Sequence, residues 1–164
     1  MRTIGKSFGV SKGTVRNHLI AHGVPLRPRG GKLRTLPLNE SAFDTITEAS
    51  AYWAGFLMGD GCVSHRGNEK RISLSLCLED KPHVESFRAF LGSGHTIRTT
   101  REPNRFPVGP GTRRTAIDTA RFEVSSIRLA AALTAFGVIQ RKTYCARVAV
   151  LESNRNFWRG LVDA

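Results

Sequence analysis

Asp60 ends an apolar run, AYWAGFLMGDGCVS at residues 51–64, and Gly61 follows it. A carboxylate in that place is either a helix cap or a reacting group. Thr45 or Thr47 can cap a helix that runs through Ala51 to Gly59. That helix is apolar nearly all round, so it is buried on more than one side. Gly55 and Gly59 lie one turn apart on the same face, where small residues let another helix backbone approach closely. Asp60 then falls at the helix C-terminus, where the macrodipole disfavours negative charge by about 0.3–1 kcal/mol. A cation nearby would remove that cost. Taken as two residues alone, Asp60-Gly61 reads as a turn into a strand.

The composition points to a polyanionic partner. The 164 residues carry a formal net charge of +12 and a pI near 10.8, with 40% apolar residues. That is enough apolar content for a core, and a charge imbalance for which nucleic acid is the commonest counterpart. No apolar stretch is long enough to span a bilayer, and Met1 to Val10 lacks the apolar core of a secretory signal. Cys62, Cys77 and Cys145 are far apart and lack Cys-x-x-Cys spacing, which argues against a zinc site or a disulfide framework. The expectation is a cytoplasmic protein of a bacterium or phage that faces nucleic acid, without a membrane partner.

The charge is uneven along the chain. Arg2, Lys6, Lys12, Arg16, Arg27, Arg29, Lys32 and Arg34 precede the first acidic residue, Glu40. Within this segment Gly9 can end one helix and Ser11 can cap the next. Val15 and Leu19 would face Ile4 and Phe8, which leaves Lys12, Thr14, Arg16, Asn17 and His18 toward solvent or a major groove. The basic stretch LRPRGGK, with Arg27 and Arg29, is either a minor-groove arm or a charged linker. Residues 1–24 resemble the helix-turn-helix units of site-specific recombinases and bacterial regulators, and residues 25–44 form the arm or linker. Those units have a preceding helix that closes a three-helix core; none precedes the pair here, so this module is expected to start upstream or to pack on something else.

Downstream the elements alternate. CVSHR and KRISLSLCLE read as strands around a turn at Gly67-Asn68. Ile72, Leu74, Leu76 and Leu78 alternate with Arg71, Ser73, Ser75 and Cys77, so one face is core and the other is basic and hydroxylic, suited to a DNA groove. DKPHVESFRAFLG reads as a helix capped by Asp80, with Val84, Phe87 and Leu91 inward. HTIRTTR and TAIDTARFEVS read as a second strand pair around a Pro/Gly/Arg-rich loop. Ser126 can cap IRLAAALTAFG, whose Leu129, Leu133 and Phe136 form a core stripe.

WAGFLMGDG resembles the motif that names the LAGLIDADG homing endonucleases. Trp53 stands for the first Leu, Ala54 and Gly55 match, and Phe56 and Leu57 are apolar replacements. Met58 stands for the first Asp, Gly59 for Ala, and Asp60 and Gly61 match. The resemblance implies an α+β fold, an αββαββα half-domain over residues 45–152 with a four-stranded antiparallel sheet and helices on one face. It implies that Ala54, Gly55 and Gly59 pack against a second motif helix. Asp60 is then the catalytic acid, binding Mg2+ or another divalent cation with the Gly59 carbonyl. Double-stranded DNA is the implied partner. The groups implied to touch it on the strands are Ser64, Arg66, Arg71, Ser73, Ser75, Arg98, Arg101 and Arg121. Lys142 occupies the family's basic position, where a phosphate contact is expected.

The motif recurs. NFWRGLVDA at residues 156–164 aligns Trp158 with Trp53 and Gly160 with Gly55, at an offset of 105 residues. Residues 153–164 therefore read as the start of a second repeat, with Gly160 on the packing face and Asp163 at the dispensable acidic position. The resemblance implies a second half, supplied by further chain or by a second copy. The chain alone is expected to bind DNA weakly and to cleave it poorly. A DNA-binding regulator built on the same fold is the alternative.

Overall fold

In a computed structural model the chain divides into two units, Met1–Thr35 and Leu36–Ala164. The described residues are 2–26, 36–66, 69–103, 116–140, 142–148 and 150–164. No helix among them is long and apolar enough to cross a membrane.

The first unit is a pair of short helices, α1 (Arg2–Ser7) and α2 (Lys12–Ala21). Gly9 makes the turn between them at φ 61°, a left-handed conformation that a side chain would strain. Ser11 then caps α2, its hydroxyl oxygen accepting from the Thr14 amide at 3.0 Å. Ile4, Phe8, Val15 and Leu19 line a shallow apolar groove, and Phe8 stays largely exposed.

The second unit begins with a segment that the charge pattern assigns to the arm. Leu38, Ala42 and Phe43 turn this segment into part of the core wall, and Phe43 packs edge-on against Phe90 and Phe136. Backbone bonds fix it further: Asn39 donates to the Leu91 carbonyl and Gly94 donates to that of Pro37. Residues 36–44, expected in the arm or linker, therefore belong to the second unit, because three apolar side chains favour burial over solvent.

Beyond it come α3 (Glu48–Gly59), β1 (Gly61–Arg66), β2 (Glu69–Cys77), α4 (Lys81–Phe90), β3 (Arg98–Pro103), β4 (Ala116–Ser125) and α5 (Ile127–Ala135). The short α6 (Lys142–Cys145) and then α7 (Arg155–Val162) follow. The architecture is mixed helix and sheet. All three strand pairings are antiparallel and the order is β1-β2-β4-β3. Ile72 faces Val124 and Leu74 faces Phe122 on the buried side, against Val84 and Phe87 of α4 and Leu129 and Leu133 of α5.

Two local expectations are corrected. Leu78 does not continue the alternation of β2: the chain turns into a single 3-10 turn at Leu78–Asp80, and Leu78 is exposed. Asp80 sits at the N-terminus of α4 but its side chain makes no capping bond; Pro82 in the first turn lacks an N–H, so one of the donors a cap would serve is missing.

Candidate functional site

α3 carries the densest sequence signal. Thr47 caps it, and Ser50 answers with a reciprocal bond to the Thr47 amide at 2.8 Å, closing a capping box. Ala51, Trp53, Ala54, Gly55, Phe56 and Leu57 are all buried. One side of the helix meets the sheet and α4, where Trp53 lies 5.0 Å from Phe87 and 4.9 Å from His83 between ring centroids. The other side meets α7.

The contact between α3 and α7 is reciprocal. A Cβ on Gly55 would overlap the Phe157 carbonyl oxygen and come 2.9 Å from the Leu161 amide. A Cβ on Gly160 would overlap the Tyr52 carbonyl oxygen and come 3.0 Å from the Phe56 amide. The offset of 105 residues exchanges Gly55 with Gly160, Tyr52 with Phe157 and Phe56 with Leu161. Each glycine thus rests on the counterpart of the carbonyl that receives the other. Gly59 completes the set, since its Cβ would overlap that of Ala164, its own counterpart. These exchanges are those of a local two-fold relation between the helices, and the two carbonyls are reachable only because Gly55 and Gly160 lack side chains.

Asp60 caps the C-terminal end of α3 and is exposed. Beside it the Lys142 ammonium donates to the carbonyls of Leu57 (2.5 Å), Gly59 (2.8 Å) and Gly61 (2.5 Å). Leu57 and Gly59 are among the last carbonyls of α3, which have no partner within the helix. Burial pushes Lys142 down to about 8, against the opposing pull of Cys62 and Asp60. The cation that a carboxylate in this place requires is therefore already in the chain. Lys142, expected as a phosphate contact, is turned onto the helix end, and the Gly59 carbonyl expected to serve a metal is one of its acceptors. Sequence spacing could not signal this, because residues 59 and 142 meet only through the tertiary fold.

A cleft of about 490 Å3 opens at the same end of the helix pair, lined by Tyr52, Phe56, Asp60, Leu76, Asp80, His83, Asp163 and Ala164. Inside it the Tyr52 hydroxyl donates to Asp163 Oδ2 at 3.0 Å and lies 3.4 Å from His83 Nε2. Burial and the Asp163 carboxylate together push the Tyr52 phenol up. This hydrogen-bonded chain was not legible from the sequence, which gave Tyr52 and His83 no role. Among the described residues no three His, Cys, Asp or Glu side chains converge on one point.

The outer face of the sheet collects most of the strand residues expected to meet DNA. Ser64 pairs with Arg71, Arg71 with Ser125, Ser75 with Arg121, and Arg121 with Arg98. Ser73 lies on the same face opposite Glu123. Arg101 is the exception: paired with Asp118, it has the parity of Ala120 and Phe122 and so belongs to the opposite face of the sheet, exposed and 4.0 Å from Asp118. Glu123 was missed, although the alternation that selects Arg121 selects it too. The side chain of Arg66 lies outside the described residues, as do Arg27, Arg29, the Gly67-Asn68 turn and the loop at 104–115. In the first unit Lys12, Thr14, Arg16 and Asn17 are all exposed on α2.

No protein-family model, curated protein or solved structure matches this chain.

Proposed function

We propose that this chain is half of a site-specific DNA endonuclease of the LAGLIDADG type, with a helix-turn-helix segment ahead of it. The reciprocal packing of Gly55 and Gly160 carries the reading. A two-fold contact between helices 105 residues apart is what a motif repeated at that offset would make, and it sets Asp60 at the end of the pair. The basic and hydroxylic outer face of the sheet supports DNA as the partner.

The second half is proposed from exposure. Trp53 is 6% exposed and Leu57 0%, whereas their counterparts on α7, Trp158 and Val162, are 45% and 82% exposed. In the first half α4 and the sheet cover those positions. A second unit of like build, from further chain or another molecule, would cover them on α7. A second copy pairing through Gly55 and Gly59 would have to displace α7, which already fills that face.

The donors at the helix end fit a hard cation: the Asp60 carboxylate and the second lone pair of the Gly59 carbonyl, both at the negative pole of α3. Magnesium or another divalent cation held there would supply an activated water and counter-charge for the leaving oxygen of a phosphodiester. The chain's own part is to hold that acid rigidly. The capping box fixes the start of α3, the glycine contacts fix its flank, and Lys142 fixes its last turn. The outer sheet face would set the DNA backbone in register.

One observation favours the second reading, a DNA-binding regulator that does not cut. Lys142 engages the Gly59 carbonyl at 2.8 Å, so an ion sharing that oxygen would meet an ammonium. The two readings separate by titration with Mn2+, followed by its electron-spin signal in the presence of random duplex DNA. The endonuclease reading predicts an ion bound by the wild type and lost in Asp60→Asn, with DNA retained by both. DNA retention without any Asp60-dependent ion would establish the regulator.

A further inference from the structure

The outer face of the sheet holds an acid where a phosphate-binding surface gains nothing from one. Glu123 lies towards the C-terminal end of β4, opposite Ser73 of β2. Its Oε1 forms an ion pair with Arg71 Nη1 at 3.2 Å and its Oε2 accepts from Arg121 Nη2 at 2.8 Å. The register places Arg71 opposite Ser125 and Arg121 opposite Ser75, four positions apart, or about 13 Å along the strands. One carboxylate therefore draws together two guanidiniums from separate strands. Glu69, at the hairpin end of β2, holds Arg71 from its other side at 3.4 Å.

This arrangement has a cost and a use. A carboxylate beside each arginine weakens the pull of both on phosphate, because the three groups together carry only one net positive charge. What remains is geometry. A guanidinium held by carboxylates, Arg121 through Nη2 and Arg71 through Nη1 and Nη2, keeps its remaining N–H groups in a fixed plane, with less rotamer entropy to lose on binding. A G·C pair offers in the major groove the acceptors O6 and N7 on guanine, which an arginine fork fits, and the N4 amino donor on cytosine, which a carboxylate accepts. Arg71, Glu123 and Arg121 present both complements side by side, over a concavity of about 480 Å3 that also includes Arg98 and Thr100.

We infer that Glu123 is a specificity-determining residue of the sheet face, positioning Arg71 and Arg121 to read G·C pairs in a major groove. The inference rests on the DNA-binding reading above. Glu123 gives up affinity for the sugar-phosphate backbone and gains discrimination between bases.

The test is selection of the 164-residue protein on a random-sequence duplex library at low salt, with Glu123→Gln and Arg121→Lys run in parallel. Wild type should enrich duplexes that share fixed G·C pairs. Glu123→Gln should bind unselected duplex about 3- to 10-fold more tightly, with a log–log salt slope steeper by about 0.9, and should lose preference at those pairs by about 10-fold. Arg121→Lys should relax the same pairs without the gain in unselected binding, since it keeps the charge and loses the fork. If Glu123→Gln raises selected and unselected binding by the same factor, Glu123 is only a surface charge and the inference fails. If the wild type retains duplex but prefers no base pairs, the inference fails alone; if it retains no duplex at all, the DNA-binding reading itself fails, whatever the variants do.

Discussion

Gly55 and Gly160 exchange the same contact: each lies against a backbone carbonyl of the other's helix, and the two carbonyls, those of Phe157 and Tyr52, are themselves counterparts across the repeat. A single close approach between helices is common enough. Two that obey one 105-residue offset, with Gly59 meeting Ala164 by the same rule, define an axis.

That axis predicts paired effects on stability. Gly55→Ala and Gly160→Ala each force a methyl group into a carbonyl that cannot rotate away, and each should cost about 3 kcal/mol or more. Because both substitutions push the same two helices apart, the double variant should lose less than the two single losses combined. Urea unfolding of the four proteins checks this. Tolerance of either alanine would mean that α7 does not pack on α3 as described.

Lys142 makes a prediction about pH. Its side chain satisfies three carbonyls at the end of α3, so Lys142→Met should destabilise the fold by about 2–4 kcal/mol at neutral pH. The sign of the pH effect is separate. The folded-state value of about 8 lies below the ordinary 10.5, so between those limits the unfolded chain binds more protons. Stability from this group therefore rises as pH climbs from about 8 towards 10.5, and its charging cost is fully present below 8. The difference in unfolding free energy between wild type and Lys142→Met should grow from pH 7.5 to pH 9.5. A difference that stays flat would place Lys142 in solvent.

The two tryptophans provide an optical readout of the open face of α7. Trp53 is enclosed by His83, Phe87 and Phe90, whereas Trp158 is exposed and donates only to the Glu152 carbonyl, at 2.6 Å. In the Trp53→Phe variant the remaining fluorescence should be readily quenched by iodide; in Trp158→Phe it should be nearly immune. Equal quenching of both would contradict the asymmetry from which a second half is proposed.

Much of this was legible because local chemistry and tertiary packing agree. The alternation in β2 chose the correct inward face for Ile72 and Leu74, and Ser11, Thr47 and Ser126 all cap the helices they precede. The glycine spacing in α3 foretold a close helix neighbour, and the second copy of the motif named it. Legibility failed where long-range contacts overrule local preference. Residues 36–44 look like linker until Phe43 finds Phe90 and Phe136. Lys142 has the look of a free surface cation, and only the folded chain delivers it to the orphan carbonyls of α3. Glu123 stood in plain view in the alternating pattern of β4. Its ion pairs with Arg71 and Arg121 depend on which side chains converge across the strands, which the alternation alone does not fix.

The most direct measurement is cleavage by a completed protein. Fusing a second copy of residues 60–152 after Ala164 continues α7 in the register of α3 and adds a second acid at the counterpart of Asp60. With Mg2+ and a duplex library of inverted repeats, the fusion should cut both strands. Asp60→Asn in the first copy should abolish double-strand cleavage while leaving DNA binding intact. A folded fusion that binds its selected duplex and never breaks a phosphodiester would contradict the endonuclease account.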